Sequence, residues 1–395
     1  MEIFDFTVKV SYLFGVLILV FGILLRKADK ITFQKSDIFL SLFLLYGFIS
    51  IFWSADPKRA VVVWLLWLFV ALIYKVIASY KFSREQRKKI IDIVLFSTLL
   101  VSLFGLYQFI ADSLGISQPL TGLRYQYTKE ILGFPRIQSV ALEPLYFSNF
   151  LFVPLYLSLK KYFDQKRYLG SYFWLSALIL ANIFLGVSRG AYMALAITLL
   201  TLIVYFIIKK EWQKIYNTIL LTVFSFMVSI LLLLVLDGTD ATKTYFNHIV
   251  VGDTGTEVST IGRIDVYDSA TETFNKNLMG IGISSWGVEH QGVVDYSDEK
   301  SYGNVNNQYL EILVETGILG FVLFILFLIF YIVEARKIIK SSDDKLLLIM
   351  MLLGLLAIFI QYNFFSTLYI IYIWAFLGLL KNQETNPKSQ TLNSK

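Results

Sequence analysis

Length, composition and charge remove several classes of protein at once. The chain has 395 residues, of which 56% are apolar, 16% aromatic and only 16% charged, with a net charge of +6 and no cysteine. A soluble domain carries about a quarter charged residues, and a chain without cysteine has no disulfide framework, thiol nucleophile or cysteine-based metal site. Repeated apolar stretches of about 20 residues and a positive mean hydropathy describe an all-α polytopic membrane protein. The basic excess is no sign of nucleic-acid binding, because the lysines and arginines sit in short clusters between apolar stretches, as the topology rule requires.

In chain order, about eleven spans (10–12) are expected, near residues 8–25, 37–53, 60–79, 90–111, 141–159, 170–187, 190–208, 216–236, 317–334, 346–363 and 365–380. Backbone groups in lipid must be satisfied within their own segment, so these spans are helices. The first follows Glu2 and Asp5, without a basic flank or a small-residue cleavage site, and reads as a retained span rather than a signal peptide. Alternate connections collect the basic residues, among them Arg26–Lys30, Lys81–Lys89, Lys160–Arg167, Lys209–Lys214 and Arg336–Lys345. These connections are therefore expected in the cytoplasm with the C-terminus, and the N-terminus outside. The expected domains are a membrane domain over 1–236, a mainly helical extracytoplasmic loop domain over 237–316, a second membrane part over 317–381, and a disordered tail over 382–395.

The residues suited to chemistry gather on the outer connections. Arg189 lies in the short Val187-Ser188-Arg189-Gly190 turn, where an outer arginine runs against the charge rule and offers planar donors for a phosphate; the plainer reading is a snorkelling anchor. Arg263 lies on a helical pattern of the long loop, where a surface ion pair with Asp265 or Asp268 is the plainer reading. Glu143, before Pro144 at a helix start, is a helix cap or, with Arg136 and Gln138 nearby, a general base. Arg124 and Arg136 share the loop before it. Asn306 and Asn307 precede an amphipathic helix, so one of them suits an N-cap. Glu311 and Glu315 read as a solvated face, with paired catalytic carboxylates as the weaker alternative. His248 and His290 are the two histidines, too few for a metal site and read as surface residues. Tyr125, Tyr127, Trp286, Tyr302 and Tyr309 suit stacking on sugars, or core packing. No phosphate loop, zinc signature or serine elbow occurs, so the sequence gives no support to ATP-driven transport or soluble hydrolase chemistry.

Several separated pieces together resemble the bacterial O-antigen ligase and O-antigen or capsular polysaccharide polymerase superfamily. They are Trp53-Ser54-Ala55-Asp56-Pro57, Ser188-Arg189-Gly190-Ala191, Gly262-Arg263-Ile264 followed by Gly280-Ile281-Gly282, and the run from Asn306 to Gly320. The family's ligases have histidine-asparagine where this chain has Asn306-Asn307, and the Glu143-Pro144 piece resembles the polymerases. The resemblance implies a polymerase acting at the outer face of the cytoplasmic membrane. It would transfer a glycan from polyprenyl diphosphate to the non-reducing end of a lipid-linked repeat unit. Arg189 and Arg263, with Arg136, would face the diphosphate, Glu143 would act as base, and Asn306 would orient the sugar. Asn307, Arg124, Tyr309 and Trp286 would contact substrate. The implied partners are both lipid-linked glycans, membrane lipids, a chain-length regulator and a flippase, with no cofactor, metal or nucleic acid. A ligase of the same superfamily and a lipid-linked oligosaccharide flippase are the alternatives.

Overall fold

The computed structural model describes residues 2–3, 6–7, 10–24, 33–80, 82–165, 168–250, 257–290 and 303–382, without the side chains of 2–11, 23, 250 and 257–263. The Arg263 side chain, Tyr302 and the tail beyond 382 thus lie outside the described residues. Apart from a two-residue hairpin that pairs Glu2 with Thr7 and Ile3 with Phe6, the described regular structure is helical.

A helix falls on each of the eleven apolar stretches, the last beginning only at Ile371. Residues 365–370 stay out of it, held by their own turn: the Trp374 indole donates to the Leu368 carbonyl, and the Tyr362 hydroxyl to that of Thr367. Among the described residues six helices are long and apolar enough to cross a membrane: Lys35–Trp53, Pro57–Ser79, Arg84–Ser113, Arg189–Lys209, Trp212–Ile249 and Gln308–Ser341. Their outward faces carry bare apolar side chains, such as Phe96 at 62%, Leu200 at 62% and Val235 at 72% exposure. Water would penalise such a surface, whereas lipid accepts it. Hydroxyls within the helices return to their own backbone, as Thr198 does to Ala194 and Ser229 to Ser225. The chain is a polytopic helical membrane protein.

Local signals set the helix starts. Asp56 accepts from the Lys58 and Arg59 amides ahead of Pro57 at the first helical position. Ser83 and Gln86 form a capping box. Two long helices contain one non-helical glycine each, Gly238 (φ 87°) and Gly317 (φ 65°). These glycines stand at the two ends of the polar stretch in the sequence. At Gly317 a Cβ would lie 2.3 Å from the Met279 carbonyl carbon, so the bend needs glycine for space as well as for φ.

The chain divides into two compact units. The first comprises Met1–Phe82, Val258–Lys345 and Tyr362–Lys395. Its helices are joined by aromatic contacts, including Phe43 stacked on Trp67 with centroids 5.1 Å apart and Phe327 on Trp374 at 6.0 Å. The second comprises Ser83–Glu257 and Leu346–Gln361. Its centre is the Pro144–Asp164 helix, buried along most of its length. Its polar groups find partners inside: Asn149 donates to Gln361 at 2.8 Å, and the Ser158 and Ser176 hydroxyls lie 2.7 Å apart.

One end of the first unit's bundle contains a buried charge network that the sequence did not announce. Lys75 pairs with Asp37 at 2.5 Å. Lys381, at the end of the last helix, has a side chain 4% exposed and pairs with Glu334 at 2.6 Å. The Tyr74 hydroxyl donates to Asp37, and the Ser36 hydroxyl and amide to Glu334. Two cations and two carboxylates from four helices neutralise one another there.

Candidate functional site

In the second unit the candidate site forms around the turn between the Ser171–Leu185 and Arg189–Lys209 helices. Val187 sits in the left-handed region at φ 48°, costly for a β-branched residue, and its neighbours hold it there. The Tyr192 hydroxyl donates to the Phe184 carbonyl at 2.5 Å and the Tyr245 hydroxyl to the same oxygen at 3.3 Å. The Ile137 amide donates to Leu185. Arg136 adds two more bonds, from Nε to the Gly186 carbonyl at 3.3 Å and from Nη2 to that of Val187 at 2.8 Å. The guanidinium also lies over the Tyr127 ring, 5.5 Å from its centroid.

This packing brings sequence-predicted residues together. Arg136 and Arg189 are half-buried and both act electrostatically on His248, which is half-buried rather than a surface histidine. Glu143 is the N-cap residue of Pro144–Asp164, yet its side chain makes no capping hydrogen bond, so the cap reading fails for its carboxylate. Burial pushes the Tyr127 hydroxyl above its usual range and the Glu143 carboxylate adds to this, while Gln126, Arg136 and Arg124 act in the opposite sense. Arg124, Arg136, Glu143 and Tyr127 therefore share one electrostatic neighbourhood. Gln138 Oε1, a buried acceptor in the same segment, meets no donor among the described residues. Half-buried guanidiniums with a carboxylate close by can hold an anionic group and take up a proton beside it.

The first unit holds a different cluster around the Trp53–Pro57 corner. The Ser54 and Ser285 hydroxyls lie 3.0 Å apart, Ser54 also reaches the Ile283 carbonyl, and the Trp53 indole donates to Gly280. Gly282 (φ 96°) lets the two backbones meet, since a Cβ there would lie 2.6 Å from Ser54 Cα. Arg59 Nε donates to Ser284 Oγ at 2.8 Å. Glu315 is buried and accepts from the Trp286 amide at 3.3 Å; Glu311 accepts from the Val305 amide at 3.1 Å. The expected solvated face for these two glutamates is thus wrong, because the segment before the helix folds back over it. Tyr369 feels Glu311, Arg59 and Glu315 together, its hydroxyl pushed up chiefly by burial.

Arg59 escaped the sequence reading, though it left a signal. With Lys58 it puts positive charge into the first turn of a helix, where the backbone dipole disfavours cations. Asn307 is the helix cap, its Oδ1 accepting from the Tyr309 and Leu310 amides. Asn306 stands at φ 54°, a conformation asparagine tolerates, and its carbonyl accepts from the Tyr267 hydroxyl. Arg263 sits on the Glu257–Lys276 helix one turn before Tyr267. Trp286 is 1% exposed, packed with Val266, Ala270, Val305 and Val314 and stacked on His290, so its packing role is the one that the structure displays. His290 also meets Thr273 and the Trp286 carbonyl. Tyr309 is half-buried against Phe324.

Fold and site define a multi-pass helical membrane protein with arginines clustered outside its apolar segments. Residues 174–325 match the family model of the O-antigen ligase, which supports the O-antigen ligase and polymerase superfamily for this chain. The match supports a glycosyltransferase-like function of the O-antigen ligase or polymerase type. The matched residues include Arg189, Arg263 and the Asn306–Asn307 helix start, and do not reach back to Arg136 and Glu143. No curated protein matches the chain.

Proposed function

We propose that the chain is a polysaccharide polymerase of this superfamily. It crosses the bacterial cytoplasmic membrane eleven times, with the polar stretch outside. The donor is a growing glycan on polyprenyl diphosphate, and the acceptor a lipid-linked repeat unit. The acceptor's non-reducing hydroxyl attacks the donor's anomeric carbon. The bond from that carbon to the phosphate oxygen breaks, and polyprenyl diphosphate leaves with the electron pair. The hydroxyl proton passes to Glu143.

The observation that carries this reading is the fixed placement of Arg136 beside the Arg189 turn. Negative charge grows on the departing diphosphate, and cations already in place lower that barrier without reorganising. The donor brings its own leaving group, so no nucleotide is needed, and we assign the electrostatic work to arginine rather than metal. Arg263 keeps its proposed phosphate role from its sequence context, and Asn306 that of orienting the sugar. Asn306 also favours polymerase over ligase, because an amide cannot serve as the base that the ligases' histidine supplies.

Product analysis tests the reading. Purified chain given a lipid-linked repeat unit should yield a ladder of repeat lengths. Transfer of a finished glycan to a different acceptor would mark a ligase, and movement of the lipid across the membrane without a new glycosidic bond would mark a flippase.

A further inference from the structure

Away from both clusters, the second unit has an open cavity of about 500 Å³ beside the turn joining Arg189–Lys209 to the helix that starts at Trp212. Three features of its lining point to a ligand. The first is charge: Lys210 and Lys214 line it, and the one carboxylate among its described lining residues, Glu211, is already paired with Lys214. Lys210 closes the preceding helix in the left-handed region at φ 58°, an uncommon conformation for a lysine. The second is the rim, where Trp212 and Tyr168 are 64% and 62% exposed. Amphipathic rings left bare on a membrane protein belong at the level of lipid headgroups. The third is Gln165, whose Oε1 is a buried acceptor that meets no donor among the described residues. Such an atom calls for a hydroxyl or N–H from outside.

We propose that this cavity binds the phosphoglycerol headgroup of an anionic membrane lipid. The phosphate lies against Lys210 and Lys214, and a glycerol hydroxyl donates to Gln165 Oε1. A few hundred Å³ suits a group of this size, and basic pockets beside apolar helices recognise anionic headgroups in this way. A choline headgroup fails on both counts, since its quaternary ammonium has no N–H or O–H and places positive charge near the lysines. The site stands apart from the glycosyl-transfer reading and does not depend on it.

Native mass spectrometry of the full chain, extracted from nanodiscs of phosphatidylglycerol mixed with phosphatidylcholine, tests the proposal. The wild type should retain phosphatidylglycerol at least about tenfold more than phosphatidylcholine, as expected for two cations at an anionic headgroup. Equal retention by the wild type overturns the proposal, whatever the variants do. Lys210→Asn with Lys214→Gln, which keeps a residue that tolerates the left-handed conformation, should remove the preference; an unchanged preference also overturns it. Gln165→Leu should weaken retention severalfold, and full retention would remove the hydroxyl contact. Displacement of the lipid by equimolar soluble glycerol phosphate would show that the site takes a free phosphate ester and overturn the lipid assignment.

Discussion

The Arg136 guanidinium donates to the Val187 carbonyl at 2.8 Å, two residues before Arg189. One proposed phosphate ligand thus holds the turn that presents the other. Arg136 has two roles at once, carrying charge and fixing geometry, and the two can be separated.

Arg136→Lys keeps the charge but loses the fork that spans the Gly186 and Val187 carbonyls. Hydrogen bonds from charged groups contribute about 1.5–3 kcal/mol, so polymer synthesis should fall roughly ten- to a hundredfold. Synthesis would be followed as repeat length on gels, with the amount of protein in the membrane as control. Lysine at full activity would leave Arg136 as a charge alone.

Arg59 acts electrostatically on Glu311 and Glu315, which accept from the Val305 and Trp286 amides. Removing it in Arg59→Ala should lower the thermal stability of the detergent-solubilised protein by about 2 kcal/mol, because a half-buried charge cluster loses its cation. Adding Glu315→Gln should restore part of that loss, since a neutral isostere replaces a buried carboxyl group that the Arg59 cation favours. If the two effects simply add, Arg59 and Glu315 are not energetically coupled.

These two cases show how far the sequence could be read. Apolar periodicity located the helices, because lipid imposes the same demand on every crossing segment. Arg189 was legible because an outer arginine runs against the charge rule, and Glu143 because it is a carboxylate at a helix start with Arg136 nearby; in the structure Arg136 holds the turn before Arg189 and acts on Tyr127 together with Glu143. Glu311 and Glu315 were misread because their spacing of one helical turn looks the same whether water or protein covers it. What covers them is the chain around Ser284 and Val305, whose path no pattern in the helix records. The pairings of Lys75 and Lys381 left no sequence signal for a similar reason: their partners Asp37 and Glu334 lie far off in sequence.

That buried network gives a stability prediction. Asp37 takes the Lys75 ammonium at 2.5 Å and the Tyr74 hydroxyl at 2.8 Å, with Lys381 3.7 Å away. Lys75→Met should destabilise the protein by about 3 kcal/mol, because the buried Asp37 carboxylate loses its nearest cation and keeps only the more distant Lys381, and Lys75→Met with Asp37→Asn by less. Thermal unfolding of both variants in the same detergent would decide it; a milder single than double variant would contradict the pairing.

Gly282 separates conformation from contact. At φ 96° an alanine is strained, and its Cβ would lie 2.6 Å from Ser54 Cα and 2.8 Å from the Ser54 nitrogen. Backbone cannot yield as a side chain does, so Gly282→Ala should cost more than the ~1–3 kcal/mol of strained backbone alone. Accumulation in the membrane should drop with activity. A well-accumulated but inactive variant would instead assign Gly282 to substrate contact.

The proton acceptor can be settled by comparing two carboxylates. Glu143 lies with Arg136, Tyr127 and Arg124, while Glu311 receives the Val305 amide and lies near Arg59. A general base contributes about a hundred- to ten-thousandfold to rate. Glu143→Gln preserves shape and removes basicity, so it should cut polymer synthesis by at least about a hundredfold while leaving stability and donor binding nearly unchanged. Glu311→Gln keeps an oxygen for the Val305 amide but alters the charge balance around Arg59, so its effect should fall on thermal stability more than on rate. The opposite pattern, with Glu143→Gln active and Glu311→Gln stable but inert, would move the base to the first unit and leave Glu143 as a partner of the arginines.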